Sequence, residues 1–210
     1  MKITRSAPSP TGNLHIGGVR TALFNFVFSK QAGGLFLIRI EDTDRERSKK
    51  EYEEDIISGL EWLGISADKT PIRQSERSDI YQKAAEKLID SGNAYWCDCS
   101  PEDLEAMREQ QMAAGKKPMY DGRSRDLGLE RSKNTVLRLA TPIDGETIVK
   151  DLIRGDITFK NSELDDLILL RSDGTPTYHF CNVVDDYDQG ITTVIPVSYT
   201  HLTLPTSVIV

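Results

Sequence analysis

Over the first forty residues, short apolar runs alternate with residues at helical spacing. Lys2 to Ala7 fits a short opening strand, and LFLIRI, residues 35–40, is a nearly continuous apolar run typical of a buried parallel strand. Between them the apolar positions recur at the spacing of a helix, and they are Val19, Leu23, Phe26 and Val27. Gly33 and Gly34 then end that helix, as glycine commonly does just past a last turn.

Two more helices are predicted before Gly92. Ser48 is a candidate cap for the first, which ends at Gly64, and Ser78 to Ile89 forms the second. The apolar positions of the first are Tyr52, Ile56, Leu60 and Leu63. Strand, helix, strand, helix over residues 1–92 is the βαβ pattern of a doubly wound parallel sheet, so the chain is predicted to have an α/β fold.

The pattern changes after Gly92. SPEDLEAMREQQMAAG predicts one helix capped by Ser100, with Pro101 at its first position and Asp103 at its third. The pieces TVLRLA, ETIVKDLI and DITFK read as short strands, which favours a small α+β insertion over residues 93–175. DDLILLR and the segment 176–195 then resume a buried-strand character, and we interpret the latter as a return strand of the first domain.

Composition restricts the class of protein. The chain is 38% hydrophobic and 28% charged, as ordinary globular proteins are. Three cysteines do not make a disulfide framework, so we predict a reducing, cytoplasmic location. There is no signal-peptide pattern and no apolar run of membrane-spanning length, so we expect no membrane association.

The formal net charge of −7 argues against a broad, non-specific nucleic-acid surface. The segment MAAGKKPMYDGRSR, residues 112–125, is positively charged although the chain as a whole is negative, because it has four basic residues and one acidic residue. On charge alone, a solvated loop explains this segment better than a binding site does. The last 15 residues, 196–210, contain no charged residue, although about four would be typical, and we predict a non-native tail there.

The loop before the first helix has the chemistry of a phosphate cradle. Glycine lets backbone N–H groups approach a ligand closely, and a helix N-terminus favours an anion. Gly12, Gly17 and Gly18 supply the turn, and His15 is placed to donate to a phosphate oxygen. No dinucleotide or P-loop signature is present. A tight turn with an incidental histidine remains the alternative.

Two further segments carry polar chemistry. RIEDTD, residues 39–44, follows the LFLIRI strand at the same sheet edge as the first loop, so its carboxylates are placed to bind an ammonium or a metal; a solvated acidic loop is the alternative. PTYHFCNVVDD, residues 176–186, places Tyr178, His179 and Asn182 together, either lining the same crevice or satisfied near a core.

The motifs RSAPSPTGNLHIGG, RIEDTD, YDGRSR and PTYHFCNVVDDYDQGIT occur together in one order. In that order they resemble the N-terminal catalytic part of bacterial glutamyl-tRNA synthetases, which are class I aminoacyl-tRNA synthetases. The resemblance implies a Rossmann-like sheet over 1–92, an inserted subdomain at 93–175 that binds the tRNA acceptor end, and a return strand at 176–195. It implies a truncated chain that ends in the non-native tail.

The implied activity is a two-step ligation. L-Glutamate attacks the α-phosphate of ATP, which carries Mg²⁺, and glutamyl-adenylate then passes its acyl group to the 3′ end of tRNA(Glu). The implied full-length enzyme is a monomer. Little covalent chemistry would fall to the protein, which positions the reactants and stabilises phosphate charge.

The resemblance also implies roles for individual residues. His15 and Gly17 match catalytic positions of the "HIGH" region, whose fourth position is Gly18 here. The implied ATP-binding residues are Ser9, Pro10, Thr11, Gly12, His15, Gly17 and Gly18. The implied glutamate-binding residues are Arg5, Ala7, Ser9, Glu41, Tyr178 and Asn182. The implied tRNA-binding residues are Lys116, Lys117, Arg123 and Arg125.

Two features depart from the family pattern. Some members carry zinc on a Cys-x-Cys pair and a later Cys and His; here Cys97 and Cys99 are followed by Ser124 and Asp126, so we predict no structural zinc. Pro196 stands where the family has an arginine that helps to bind the substrate carboxylate, and the later ATP loop and anticodon-binding domain are missing. We therefore expect the chain to be inactive alone.

Three alternatives remain. A glutamyl-queuosine-tRNA(Asp) synthetase paralogue shares the catalytic motifs, although it usually keeps the zinc site and a shorter insertion. A glutaminyl-tRNA synthetase is disfavoured by details around RIEDTD and YDGR. A non-catalytic RNA-binding fragment is the third, and weak tRNA binding without adenylate formation would favour it.

Overall fold

The computed structural model describes residues 1–196, which contain eight β-strands and five α-helices. The chain forms two compact units. Within the described residues, the first comprises residues 1–80 and 181–196, and the second comprises Tyr81–Phe180.

The first unit contains a parallel sheet with helical crossovers. Its elements are β1 (Ile3–Ser6), α1 (Ile16–Gln31), β2 (Leu35–Ile40), α2 (Lys50–Trp62) and β3 (Ile72–Arg73), followed by the start of α3 (Ser78–Asp90). The strand order is β1-β2-β3, with Ile3 beside Leu35 and Arg39 beside Ile72. This arrangement confirms the predicted Rossmann-like α/β fold, because consecutive parallel strands need a crossover between them.

The core of this unit lies between the sheet and its helices. It is formed by Ala22, Phe36, Ile38, Ile40, Ile56, Leu60 and Ile65. Helix α1 is confirmed, but its buried face is narrower and more polar than its apolar spacing suggests: Ala22, Asn25 and Ser29 are buried, whereas Leu23 and Val27 are exposed. On this face α1 is joined to β1 through the hydrogen bond from Thr4 Oγ1 to the Asn25 carbonyl (2.8 Å).

The predicted end of the first helix is confirmed, but the predicted cap of the second helix is not. Helix α1 is followed by Gly33 at φ +60°, a conformation that favours glycine, as expected. The cap predicted at Ser48 is wrong: the residue before α2 is Lys49, whose side chain makes no capping bond. Glu51 and Glu53 in the first turn stabilise this start instead, because acidic residues interact favourably with a helix N-terminus.

The second unit contains an antiparallel sheet and a separate hairpin. The sheet order is β4 (Ala94–Cys97), β5 (Val136–Leu139), β8 (Ile168–Leu170), and β6 (Glu146–Asp151) pairs with β7 (Gly155–Lys160). Helix α4 (Pro101–Ala113) begins with the predicted Ser100 cap, which forms a capping box: Ser100 Oγ accepts from the Asp103 amide (3.1 Å), and the Asp103 carboxylate accepts from the Ser100 amide (3.3 Å). The predicted strand pieces are therefore confirmed.

The return strand predicted at 176–195 is wrong, because Tyr178–Asp188 forms helix α5. Its buried positions recur at helical spacing, but three of the five are polar: Phe180, Cys181, Asn182, Asp185 and Asp186. Acidic residues on the buried face hid the helical period from a hydrophobicity pattern.

The two units divide at 80/81 and 180/181, whereas the predicted domain boundaries lie at 92/93 and 175/176. An inserted acceptor-binding subdomain remains a prediction. Most of the predicted non-native tail, residues 197–210, lies outside the described part of the chain. Within residues 1–196, no helix combines the length and apolar character needed to cross a bilayer.

Candidate active site

The loop between β1 and α1 is held by backbone and side-chain bonds from neighbouring segments. The Glu41 amide donates to the Pro8 carbonyl (2.9 Å), and the Leu14 amide donates to Asp55 Oδ2 (2.8 Å). The loop thus follows the carboxyl end of β1, where ligands bind in parallel α/β sheets. It contains the predicted residues Ala7, Ser9, Pro10, Thr11 and Gly12.

His15 is the N-cap of α1. Its Nδ1 accepts a hydrogen bond from the Gly17 amide (3.2 Å), so Nδ1 is the unprotonated nitrogen and Nε2 carries the proton. The side chain is exposed, which leaves this N–H available at a helix N-terminus. A Cβ at position 17 would lie 2.9 Å from His15 Cε1, so the close approach of the imidazole requires glycine there.

The carboxyl end of β2 carries two buried opposite charges. Arg39 has no exposed surface, and Glu41 is 5% exposed. Arg39 Nη2 donates to Glu41 Oε1 (3.2 Å), which forms an ion pair away from water. A buried charge must be paired in this way, because an isolated one is strongly unfavourable.

Helix α5 brings a second buried carboxylate to this pair. Asp186 accepts two bonds from Arg5, from Nε (3.0 Å) and Nη2 (2.9 Å), and a third from Arg39 Nη1 (2.6 Å). One carboxylate thus bridges two arginines that come from different strands. The bidentate contact fixes the orientation of the Arg5 guanidinium, because two parallel hydrogen bonds restrict its rotation.

Asn182 and Asp185 extend the cluster toward α3. Asn182 Oδ1 accepts from Arg39 Nη2 (3.1 Å) and Gln74 Nε2 (3.3 Å). Asp185 accepts from Gln74 Nε2 (2.9 Å) and Arg77 Nε (2.8 Å). We call Arg5, Arg39, Glu41, Asn182, Asp185 and Asp186 the buried charge cluster.

Burial and ion pairing have opposite effects on the pKa values of the charged groups in this cluster. Burial raises the pKa of the Glu41 carboxyl, and the guanidiniums of Arg39 and Arg5 act against that rise. Burial acts to lower the pKa of Arg39, but Asp186 and Glu41 outweigh it, so the pKa of Arg39 is raised overall. The arginine therefore stays charged, and a cation near Glu41 would favour its ionised form.

The predicted site residues fall into three groups. Arg5, Glu41 and Asn182 meet in the buried charge cluster, and His15, Gly17 and Gly18 lie at the start of α1. Tyr178 belongs to the second unit, where it begins α5, is half exposed and meets the His179 ring edge-on at 5.4 Å.

Sequence reasoning missed Arg39, Asp185 and Asp186 as parts of the site. One signal was present, because Arg39 is the single charge in the otherwise apolar run LFLIRI. A charge inside a buried strand requires a partner. One partner, Glu41, is only two residues away, but Asn182 and Asp186 are 143 and 147 residues away along the chain and could not be identified from the pattern.

The basic segment 112–125 is largely engaged within the second unit. Arg125 forms an ion pair with the buried Asp166 and donates to the Thr141 carbonyl (2.8 Å). Arg123 pairs with Asp121 (2.8 Å). Lys116 and Lys117 are exposed, and Lys117 Nζ donates to the Glu163 carbonyl (3.3 Å).

Two of the four residues at the zinc positions make hydrogen bonds to side chains outside that set. Cys97 Sγ donates to the Tyr120 hydroxyl (3.3 Å), and Ser124 Oγ donates weakly to Asp98 Oδ1 (3.4 Å). Within residues 1–196 no group of three or more metal-binding side chains is gathered. Two thiols, a hydroxyl and the exposed Asp126 carboxylate are a poor set for tetrahedral zinc.

Comparison with known proteins identifies the relatives of this chain. It is 54% identical over 191 residues to the glutamate–tRNA ligase of Thermodesulfovibrio yellowstonii and 55% identical over 194 residues to that of Nitrosospira multiformis. Each alignment covers 91% of this chain but only 41% and 42% of the relative. The chain thus spans about two fifths of the length of these curated relatives.

Solved structures give the same result. The crystal structure of a glutamate tRNA ligase from Elizabethkingia meningosepticum, in complex with its amino acid, has a TM-score of 0.81 and 39% identity, over 92% of this chain and 43% of that one. The enzyme from Elizabethkingia anophelis gives 0.80 and 38%, with the same coverage. The family model for tRNA synthetases class I (E and Q), catalytic domain, matches residues 2–200. The chain therefore belongs to the class I tRNA synthetases of the E and Q type, of which it carries catalytic-domain sequence.

Proposed function

We propose that this chain is the amino-acid- and ATP-binding part of a glutamate–tRNA ligase. The ligase would activate L-glutamate to glutamyl-adenylate and transfer it to the 3′ end of tRNA(Glu) in the cytoplasm. One observation carries the proposal: Arg5, Glu41 and Asn182 converge in one buried cluster at the carboxyl ends of β1 and β2. The similarity to glutamate–tRNA ligases supports it.

The amino acid would be held by opposite charges. Glu41 would receive the α-ammonium, because a buried carboxylate is stabilised by a cation. Arg5 would receive a substrate carboxylate through planar, charge-assisted hydrogen bonds. Ala7, Ser9 and Tyr178 complete the proposed glutamate-binding set.

ATP, with its Mg²⁺, would lie along the loop and the start of α1. His15 Nε2–H would donate to a phosphate oxygen as a glutamate carboxylate oxygen attacks the α-phosphorus and pyrophosphate leaves. Backbone amides at the N-terminus of α1 would add favourable dipoles. In the second step, a terminal hydroxyl of tRNA attacks the acyl carbon and AMP leaves.

The tRNA acceptor end would contact the second unit. Lys116 and Lys117 present exposed ammonium groups for phosphate contact. Arg123 and Arg125 remain proposed contacts, although both already pair with carboxylates. Of the two, Arg123 is the more accessible, because Arg125 is held by a buried partner.

The test is ligand binding to the 210-residue chain. Backbone and side-chain NMR signals are followed while L-glutamate, D-glutamate or ATP with Mg²⁺ is added. We expect L-glutamate to shift signals at the ends of β1 and β2, and ATP to shift those of residues 8–18. Glu41→Gln should weaken L-glutamate binding by about tenfold or more, because it loses the charge that attracts the ammonium.

Glu46→Gln is the matched control, since Glu46 is an exposed carboxylate five residues along the chain. It should leave the binding of both ligands unchanged. The proposal fails if L-glutamate causes no shifts up to about 10 mM, well above usual Michaelis constants. Equal responses to the two enantiomers would also contradict it.

A further inference from the structure

Three buried side chains of the cluster each have one paired end and one open end. Arg5 is 8% exposed, Glu41 5% and Asn182 1%. Among residues 1–196, Nη1 of Arg5, Oε2 of Glu41 and Nδ2 of Asn182 have no hydrogen-bond partner, whereas the opposite end of each is bonded. None of these three atoms is fully enclosed, so each keeps some exposed surface through which a ligand can reach it.

The open ends are chemically complementary to a zwitterion. Two of them, on Arg5 and Asn182, are donors suited to carboxylate oxygens, and the third, on Glu41, is an anionic acceptor suited to an ammonium. The orientation of the Asn182 amide follows from its partners, because both Arg39 and Gln74 donate to Oδ1 and so direct Nδ2 away from themselves.

The bonded ends of Arg5, Glu41 and Asn182 all contact Asp186 or Arg39. Asp186 takes the Nε and Nη2 edge of Arg5, and Arg39 Nη2 donates to both Glu41 and Asn182. Arg39 Nη1 and Asp186 are themselves joined at 2.6 Å. A displacement of either would therefore move all three open ends.

We propose that Asp186 and Arg39 are positioning residues for amino-acid recognition. They hold Arg5, Glu41 and Asn182 so that only their ligand-facing atoms remain free. This inference rests on the proposed function, and it adds that Asp186 stays bound to Arg5 when the amino acid enters. The substrate carboxylate bonds to Nη1 of Arg5 and does not replace Asp186 at Nε.

The first test compares two substitutions on α5 in the 210-residue chain. Asp186→Asn keeps the shape of the side chain but removes its charge. Asp188→Asn is the matched control, because Asp188 is half exposed and pairs with Arg77 outside the cluster. Dissociation constants for L-glutamate and for ATP with Mg²⁺ are measured by NMR titration, and folding is followed by thermal unfolding.

We expect Asp186→Asn to weaken L-glutamate binding by about tenfold or more while ATP binding changes by less than about twofold. Asp188→Asn should change neither. The proposal is overturned if folded Asp186→Asn binds L-glutamate as the wild type does. Equal losses for L-glutamate and ATP would indicate a merely structural role and would overturn it too.

A second measurement needs no substitution and covers the case in which Asp186→Asn does not fold. The Nε–Hε signal of Arg5 and the Nδ2 signals of Asn182 are observed in the uniformly ¹⁵N-labelled wild-type chain. On addition of L-glutamate the Nε–Hε signal should keep its shift, while the Nδ2 signals of Asn182 move. Loss or a large shift of the Nε–Hε signal would mean that the ligand displaces Asp186.

The outcomes separate this inference from the proposed function. If the wild-type chain does not bind L-glutamate, the proposed function fails, and the positioning role fails with it. If the wild type binds L-glutamate but Asp186→Asn or the Arg5 signal behaves otherwise than expected, only the positioning role fails.

Discussion

At the scale of single residues, the functional part of this chain depends on very close contacts. Gly17 lies so near the His15 imidazole that a methyl group could not be added without moving it. That approach lets the Gly17 amide select the histidine tautomer with a proton on Nε2. A glycine here therefore determines which nitrogen of its neighbour can donate to a ligand.

Gly17→Ala should displace His15 and remove its cap on α1. Relative to Gly18→Ala, which shares the gain in helix propensity from replacing glycine, we expect the free energy of unfolding to be lower by about 1 kcal/mol, the usual value of an N-cap, and we expect ATP affinity to fall by about tenfold. Urea unfolding and NMR titration with ATP measure these effects. Gly18→Ala is the stability control, since a Cβ there meets Leu14 only at 3.5 Å. Unchanged His15 ring signals in Gly17→Ala would contradict the prediction.

The two arginines of YDGRSR should behave differently although both are predicted tRNA contacts. Arg125→Ala leaves Asp166, whose side chain is 3% exposed, without its ion-pair partner, so we expect about 3 kcal/mol of destabilisation. Arg123→Ala breaks an exposed pair and should cost less than about 1 kcal/mol. Urea unfolding measures the free energy of unfolding of the two variants. Equal losses of stability would contradict the assignment of Arg125 to a buried ion pair and Arg123 to an exposed one.

At the scale of elements, single carboxylates join helices to strands. Asp68 accepts from Lys30, in the last turn of α1, and from the Phe36 amide on β2 at 2.6 Å. It thereby fastens the end of α1 to the strand that carries the site. Gly33 and Gly64, both at positive φ, follow the ends of α1 and α2, whereas the Asp68 carboxylate, which lies outside both elements that it contacts, links α1 to β2.

Asp68→Asn should destabilise the chain in a pH-dependent way. The hydrogen bond from Lys30, followed by that from the Phe36 amide, lowers the pKa of Asp68 in the folded state. Its stabilisation is therefore fully present above the unfolded pKa of about 3.9 and is lost as the pH falls through the lower folded pKa. Urea unfolding at neutral pH and near pH 3.5 should show a gap between wild type and variant that shrinks on acidification. A gap independent of pH would contradict this mechanism.

At the scale of the whole molecule, the net charge disfavours non-specific contact with nucleic acid, so any contact must be local. The net charge of −7 repels phosphate at long range, so the proposed tRNA binding would depend on a few exposed cations. Most arginines described here are paired with carboxylates, as in the buried charge cluster. Lys116 and Lys117 are exposed on the basic segment and are the better candidates.

The double substitution Lys116→Ala and Lys117→Ala should weaken tRNA binding and reduce its dependence on salt. We expect the slope of log K against log salt to fall by about 1 to 2, because one or two phosphate contacts are lost. Lys83→Ala with Lys87→Ala is the control, since it removes the same charge from exposed positions on α3. Filter binding across a salt series measures the slopes, and equal effects of the two pairs would contradict a local contact.

The amino-acid sequence by itself determined the order of most elements and the chemistry of the first loop. Continuous apolar runs and glycines at helix ends are formed by residues that are close together in the sequence. They therefore identified β1, β2 and the helices that follow them. The same holds for His15 and Gly17, which are two residues apart, and for the capping box of Ser100 and Asp103.

Only the tertiary structure decided where the buried charges meet. Arg5 and Asp186 are 181 positions apart, and Arg39 and Asp186 are 147 apart, so no local pattern could pair them. The same pairing decided that residues 178–188 are helical, because their buried face is stabilised by arginines from β1 and β2 and not by apolar contacts alone. Turn and cap chemistry acts over a few residues, whereas a buried carboxylate is stable only beside the partner that the fold supplies.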